Sequence, residues 1–190
     1  MVRPSAIAVL LLLAAMAARA QQRPSFTVQA GGVVATTLPL SVLQDGNVKK
    51  QLGSGLTTTF LVLARQRDAR VTGARLEIRY DLWDEVWLVR RIEFDGKIDL
   101  QRITTADALE KWWRTPVRIL ATSAARVAMQ LDLTVLPFSS AEEEDAREWI
   151  TKSGGVGSGT AGGLVDVLIG TTLSAKPISS YRWHVDLALR

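Results

Sequence analysis

Between residues 76 and 94 the chain reads LEIRYDLWDEVWLVRRIEF. Leu76, Ile78, Tyr80 and Leu82 alternate with Glu77, Arg79 and Asp81. Successive side chains of an extended strand point to opposite faces, so this half reads as a strand with one buried face. After Trp83, Asp84 and Glu85 the alternation resumes with Val86, Leu88, Ile92 and Phe94 on one face. Arg90 interrupts that face, and Trp87 and Val89 make the other partly apolar. A helix would need apolar residues three and four apart, with the charges gathered on one side. Arg79, Asp81, Asp84 and Glu85 are not so gathered. Two antiparallel strands joined by a tight turn at Trp83-Asp84-Glu85 are predicted, with a further turn at Asp95-Gly96.

The same logic predicts strands over residues 26–38, 56–64, 117–121 and 126–136. In the last of these Val127, Met129, Leu131, Leu133 and Val135 share a face. At the C-terminus, YRWHVDLAL sets Tyr181, Trp183, Val185, Leu187 and Leu189 on one face and Arg182, His184 and Asp186 on the other. Three short helices are expected. Residues 42–52 form one that contains Gly46 and is closed by Gly53. In TTADALEKWWR, Thr104 and Asp107 have capping-box spacing, Ala106, Leu109, Trp112 and Trp113 form the apolar stripe, and Pro116 forbids continuation. In SSAEEEDAREWITKSGG, Ser139 with Glu142 and the i,i+4 pair Glu143 and Arg147 favour a third, which Gly154 ends. Strand follows strand without regular helical crossovers. The expected class is therefore α+β, mainly antiparallel β in a sandwich-like or curved sheet, with two or three short helices.

Residues 1–20 read as an export signal: Arg3 supplies the positive start, AIAVLLLLAAMAA the apolar run, and Ala18-Arg19-Ala20 the small-x-small cleavage site. The apolar run falls short of the roughly 18 residues that cross a bilayer. The expected organisation is a signal peptide over 1–20, a strand-rich domain over 21–153, a glycine-rich linker over 154–163, and a C-terminal element with the final strand over 164–190. An exported chain without transmembrane helix after signal removal follows, periplasmic or envelope-associated. Losing Arg3 and Arg19 takes the formal net charge from +4 to +2, which gives a nucleic-acid partner little electrostatic support. The chain contains no cysteine, which excludes disulfides, thiolate nucleophiles and cysteine-ligated metals.

Three constellations invite a chemical reading, and each has a plainer one. GSGTAG, residues 157–162, matches the spacing of a dinucleotide-binding loop, but it follows a predicted helix and sits in a run with six glycines in ten residues, which suits a linker. Glu142, Glu143, Glu144 and Asp145 could offer oxygen ligands, yet four consecutive helical residues point in different directions, and acids belong in a first helical turn. His184 is the only histidine, on the polar face of the last strand, near Ser179, Ser180 and Asp186 but without a nucleophile elbow. No catalytic, metal or cofactor residues are assigned, and no cofactor is expected.

Six tryptophans remain to be placed. Adjacent Trp112 and Trp113 are not expected both to enter one core, so Trp83, Trp87, Trp112, Trp113 and Trp149 form the candidate interaction surface.

Gly55-Leu56 leading to Leu63, Tyr80-Asp81-Leu82, Ala108-Leu109, and the LDLTVLP of Leu131 to Pro137 together resemble the exported bacterial proteins of domain-of-unknown-function family 4390. The resemblance spans most of residues 50–150. It implies an envelope protein and carries no catalytic residues. The expected role is a non-enzymatic module that binds an envelope protein partner. The alternatives are a carrier of lipid or another apolar ligand, and an uncharacterised hydrolase using His184 or carboxylates.

Overall fold

The computed structural model describes residues 23–67, 69–138 and 176–189. The predicted signal segment, the predicted acidic helix with Trp149, the predicted glycine-rich linker and the element expected over 164–170 lie outside the described residues. Nine strands form two antiparallel sheets among the described residues. The smaller contains β1 (Ser25–Gln29), β2 (Val33–Thr37) and β7 (Val117–Ala121) in the order β1-β2-β7. The larger has the order β6-β5-β4-β3-β8-β9, from β3 (Thr58–Gln66), β4 (Thr72–Asp81), β5 (Val86–Ile92), β6 (Ile98–Ile103), β8 (Arg126–Leu136) and β9 (Ser179–Ala188). Three α-helices among the described residues complete it: α1 (Leu40–Gln44), α2 (Gly46–Leu52) and α3 (Ala106–Trp113). The fold is α+β and mainly antiparallel β.

One apolar core lies between the sheets. Phe60 and Val62 of β3, Leu76 and Ile78 of β4, and the alternating Val127, Met129, Leu131, Leu133 and Val135 of β8 meet Val34, Val117 and Ile119 of the small sheet. Tyr181, Trp183, Val185 and Leu187 extend that face on β9, partly buried. The final strand thus belongs to the main sheet, paired along β8. The central strand β3 is buried on both faces, Leu61 included, which is why residues 56–64 read as a near-continuous apolar run rather than an alternating one.

Several boundaries differ from expectation for identifiable reasons. Residues 26–38 are a hairpin, not one strand: Gly31 and Gly32 adopt φ of +77° and +73° and reverse the chain between β1 and β2. The helix over 42–52 is broken at Asp45, whose extended backbone ends α1. Its carboxylate accepts from the backbone N–H of Asn47 and Val48, capping α2. For α3 the cap is Thr105, accepting from Ala108 N–H, and not Thr104. β6 has no counterpart in the sequence reading.

The register of β5 is also reversed. Trp87, Val89 and Arg91 pair with Tyr80, Ile78 and Leu76 and share the core side, leaving Leu88, Arg90 and Ile92 outside. A four-residue connection, residues 82–85, sets this phase. Arg91 tolerates the inward position because its guanidinium donates to the Trp112 carbonyl at 2.9 Å and the Pro116 carbonyl at 3.3 Å, and lies over the Trp112 ring. Burial lowers its pKa from the ordinary arginine value, against the opposing pull of Glu93 and Asp99.

The outer face of the large sheet is stitched by ions. Arg75 and Glu77, neighbours on β4, pair at 2.7 Å with both side chains buried. Asp132 of β8 accepts from Arg65 of β3 at 2.9 Å and from Arg182 of β9 at 2.8 Å. Burial pushes the Asp132 carboxyl upward, but the hydrogen bonds from Arg182, Gln130 and Arg65 outweigh it and hold the pKa below its ordinary value. A depressed folded-state pKa gives stability that is present above the unfolded pKa, about 3.9, and lost as pH falls through the folded one. Asp132→Asn is therefore expected to cost about 1 kcal/mol at pH 7, modest because both arginine partners are well exposed. Thermal melts followed by circular dichroism should show the gap between wild type and variant closing below about pH 4.

Candidate interaction surface

The turn between β4 and β5 presents the most exposed large apolar side chain of the described residues, with a second exposed one beside it. Trp83 is 96% exposed and Leu82 is 61% exposed. Full exposure of a tryptophan forgoes the largest burial energy any side chain offers, and here a well-ordered turn enforces it. The Asp81 carboxylate accepts from the backbone N–H of Trp83 at 3.0 Å and of Asp84 at 3.2 Å. Glu85 takes φ +52°, the left-handed conformation that closes the turn. Asp84 in turn pairs with Arg102 of β6 at 2.5 Å, fixing the turn to the neighbouring edge strand. The hydrogen bonds from Asp84 and Trp83 N–H lower the Asp81 pKa, so the tip remains anionic at neutral pH.

The apolar tip has a base. Gly55, at φ +77°, leaves room for Leu82: a Cβ there would lie 3.0 Å from Leu82 Cδ1. Exposed Leu56 follows it. Beyond Thr57 a groove of about 490 Å³ runs over the outer face of β4, β5 and β6, lined by Glu77, Arg79, Leu88, Leu100 and Arg102. Leu100, on the edge strand, is 70% exposed. Leu88 and Leu100 thus line a groove whose polar walls carry both signs of charge, and Arg102, which also pairs with Asp84, joins it to the Trp83 turn. Arg90 stands beside Glu77 at 3.5 Å.

Of the tryptophans singled out from the sequence that lie among the described residues, only Trp83 is displayed in full. Trp87 lies partly buried against Tyr80, ring centroids 4.6 Å apart. Trp112 and Trp113 correct the expectation that adjacent tryptophans cannot share a core: both are buried. About 100° separates neighbours on a helix, and α3 ends wedged into the core so that its apolar face spans both. Trp113 meets Phe60 edge-on at 4.8 Å and donates to the Pro39 carbonyl, while Arg91 covers Trp112. Trp149 lies outside the described residues. Leu56, Leu82 and Leu100 escape sequence reasoning because exposure of a leucine leaves no mark in a strand-like alternation.

His184 is exposed on β9, facing Gln130 across the pair, and the neighbouring Asp186 is held by Arg126 through two hydrogen bonds of 2.8 and 2.9 Å. Ser179 directs its hydroxyl to Asp45 rather than to His184. Among the described residues no cluster of His, Asp and Glu has the arrangement to hold a metal ion, and no helix is long and apolar enough to cross a membrane. The chain matches no protein-family model, no curated protein and no solved structure.

Proposed function

We propose that this protein is an exported, envelope-associated interaction module without catalytic activity, and that the β4–β5 tip with the adjoining groove is where a protein partner binds. The export-type segment over 1–20 and the resemblance to domain-of-unknown-function family 4390 support the reading of the compartment. The exposure of Trp83 on a fixed turn carries the reading of the site. Tryptophan dominates binding energy at protein interfaces, where a rigid aromatic anchor loses little conformational entropy on docking. A groove of mixed charge beside it suits a polypeptide, which can answer both signs.

A membrane surface is the poorer fit. Asp81, Asp84 and Glu85 stand beside Leu82 and Trp83, and anionic headgroups would repel them. Leu82→Asp combined with Trp83→Ala should abolish capture of the partner from envelope extract while leaving the melting temperature within about 1 °C, since both side chains are exposed. Equal recovery of the same proteins by wild type and variant would refute the assignment. Vesicle binding lost in the double variant, with no protein captured by the wild type, would move the site to lipid.

A further inference from the structure

Strand β9 ends the large sheet with ten residues, and it contains neither proline nor glycine. Its pairing with β8 is regular throughout. The register is continued by Leu189, whose N–H donates to the Ala125 carbonyl at 2.8 Å. In an antiparallel ladder the backbone groups of alternate residues point to the same side. Those of residues 179, 181, 183, 185, 187 and 189 therefore turn toward β8. Those of Ser180, Arg182, His184, Asp186 and Ala188 turn to the edge that no described strand occupies.

We infer that this edge pairs with β9 of a second copy of the chain, antiparallel about a two-fold axis through His184. The register follows from charge. With His184 facing His184 of the second copy, Arg182 faces Asp186 and Asp186 faces Arg182, both as hydrogen-bonded pairs of the outward-pointing set. Each strand already carries its own cross-strand partners, Asp132 to Arg182 and Arg126 to Asp186. Across the junction the row reads Asp132, Arg182, Asp186, Arg126, alternating in sign over four strands. On the core side the same register sets Trp183 opposite Val185 and Tyr181 opposite Leu187. These four apolar residues are only partly buried in one copy, and pairing gives that stripe a second wall.

The opposite edge lacks this self-complementarity. The charges of β6 are Asp99 and Arg102, three residues apart. Residues an odd number apart lie on opposite faces of a strand and cannot meet their equivalents across a two-fold axis. Strand β1 carries no charge at all. An isologous pair through β9 would leave β6 and the Trp83 tip at the far ends of the joined sheet, so the dimer is compatible with partner binding there and independent of it.

The absence of cysteine from the chain permits a clean test. In the intact protein, as processed by an expressing host, single-cysteine variants His184→Cys, Arg182→Cys and Asp186→Cys are oxidised mildly at low concentration. Facing residues in a hydrogen-bonded pair place their Cα atoms about 5.5 Å apart, within disulfide reach. His184→Cys should cross-link to a species of twice the chain mass, the other two should not cross-link alone, and mixing them should restore the product. Light scattering of the wild type should give twice the chain mass, falling two-fold in His184→Glu, which sets two carboxylates against each other at the axis. A wild type that stays monomeric at all concentrations overturns the proposal, as does a dimer in which Arg182→Cys or Asp186→Cys cross-links alone and His184→Cys does not.

Discussion

Trp113→Ala should lower stability by about 3–5 kcal/mol, the range for removing a large aromatic from a well-packed core. Trp113 is 0% exposed, lies edge-on to Phe60, and donates from Nε1 to the Pro39 carbonyl at 3.1 Å. Truncation leaves a cavity where α3 joins the sheets and removes one of the two donors to the Pro39 carbonyl, leaving it the Val42 N–H. Thermal unfolding followed by circular dichroism should show a midpoint lowered by roughly 10 °C or more. Trp83→Ala, made for comparison, should move the midpoint hardly at all, because that side chain is bathed in solvent. Equal effects at the two sites would mean that the division between core and displayed tryptophans is wrong.

Gly73→Ala should be nearly as damaging, by a different route. Gly73 faces Leu63 near the start of β4, and a Cβ built on it would sit 2.0 Å from the Val62 carbonyl oxygen and 3.1 Å from Leu63 Cα. Those are backbone atoms of the central strand, which no rotamer change can move aside. The strands must separate locally, at a cost of about 3 kcal/mol, the upper part of the range for overpacking. Hydrogen exchange should show faster exchange of β3 and β4 amides around residues 62–63 and 72–74. By contrast Gly46→Ala, at the start of α2 with nothing within 4 Å, should be neutral or slightly stabilising. A Gly73→Ala variant as stable as wild type would show that the two strands are farther apart than described.

These two residues also mark how far the sequence is legible. Strong alternation located β7 and β8 at their observed bounds, and the two strands around Trp83, because a one-residue slip would have turned every apolar side chain outward. The phase of β5 could not be read in the same way. Its apolar residues occur on both faces, and the inward choice of Arg91 depends on carbonyls at the end of α3, far away in sequence. β6 was hidden for the opposite reason: Ile98 and Leu100 alternate properly but face solvent, so burial gives its pattern no meaning. Likewise Gly73 has no distinctive neighbours; only the approach of Val62 reveals why a side chain is excluded.

The candidate site was half visible. A tryptophan in a turn between two strands is suggestive in sequence, and Trp83 has the exposure expected of an anchor. Trp112 and Trp113 looked equally available, because helical adjacency says nothing about how deeply a helix end is inserted. Leu82 lies against Gly55, whose φ is +77°, and Leu100 reaches the groove beside Leu88 only through the order β6-β5-β4 in the sheet.

The proposed role of the β4–β5 tip is tested most directly by placing a photoreactive side chain at position 83 of the full-length protein in living cells and irradiating. The account predicts one discrete protein adduct from position 83. That adduct should vanish when Leu82→Asp is added, and should not form from a probe at exposed Lys49 of α2. Adducts of lipid alone, or the same proteins captured equally from positions 83 and 49, would contradict it.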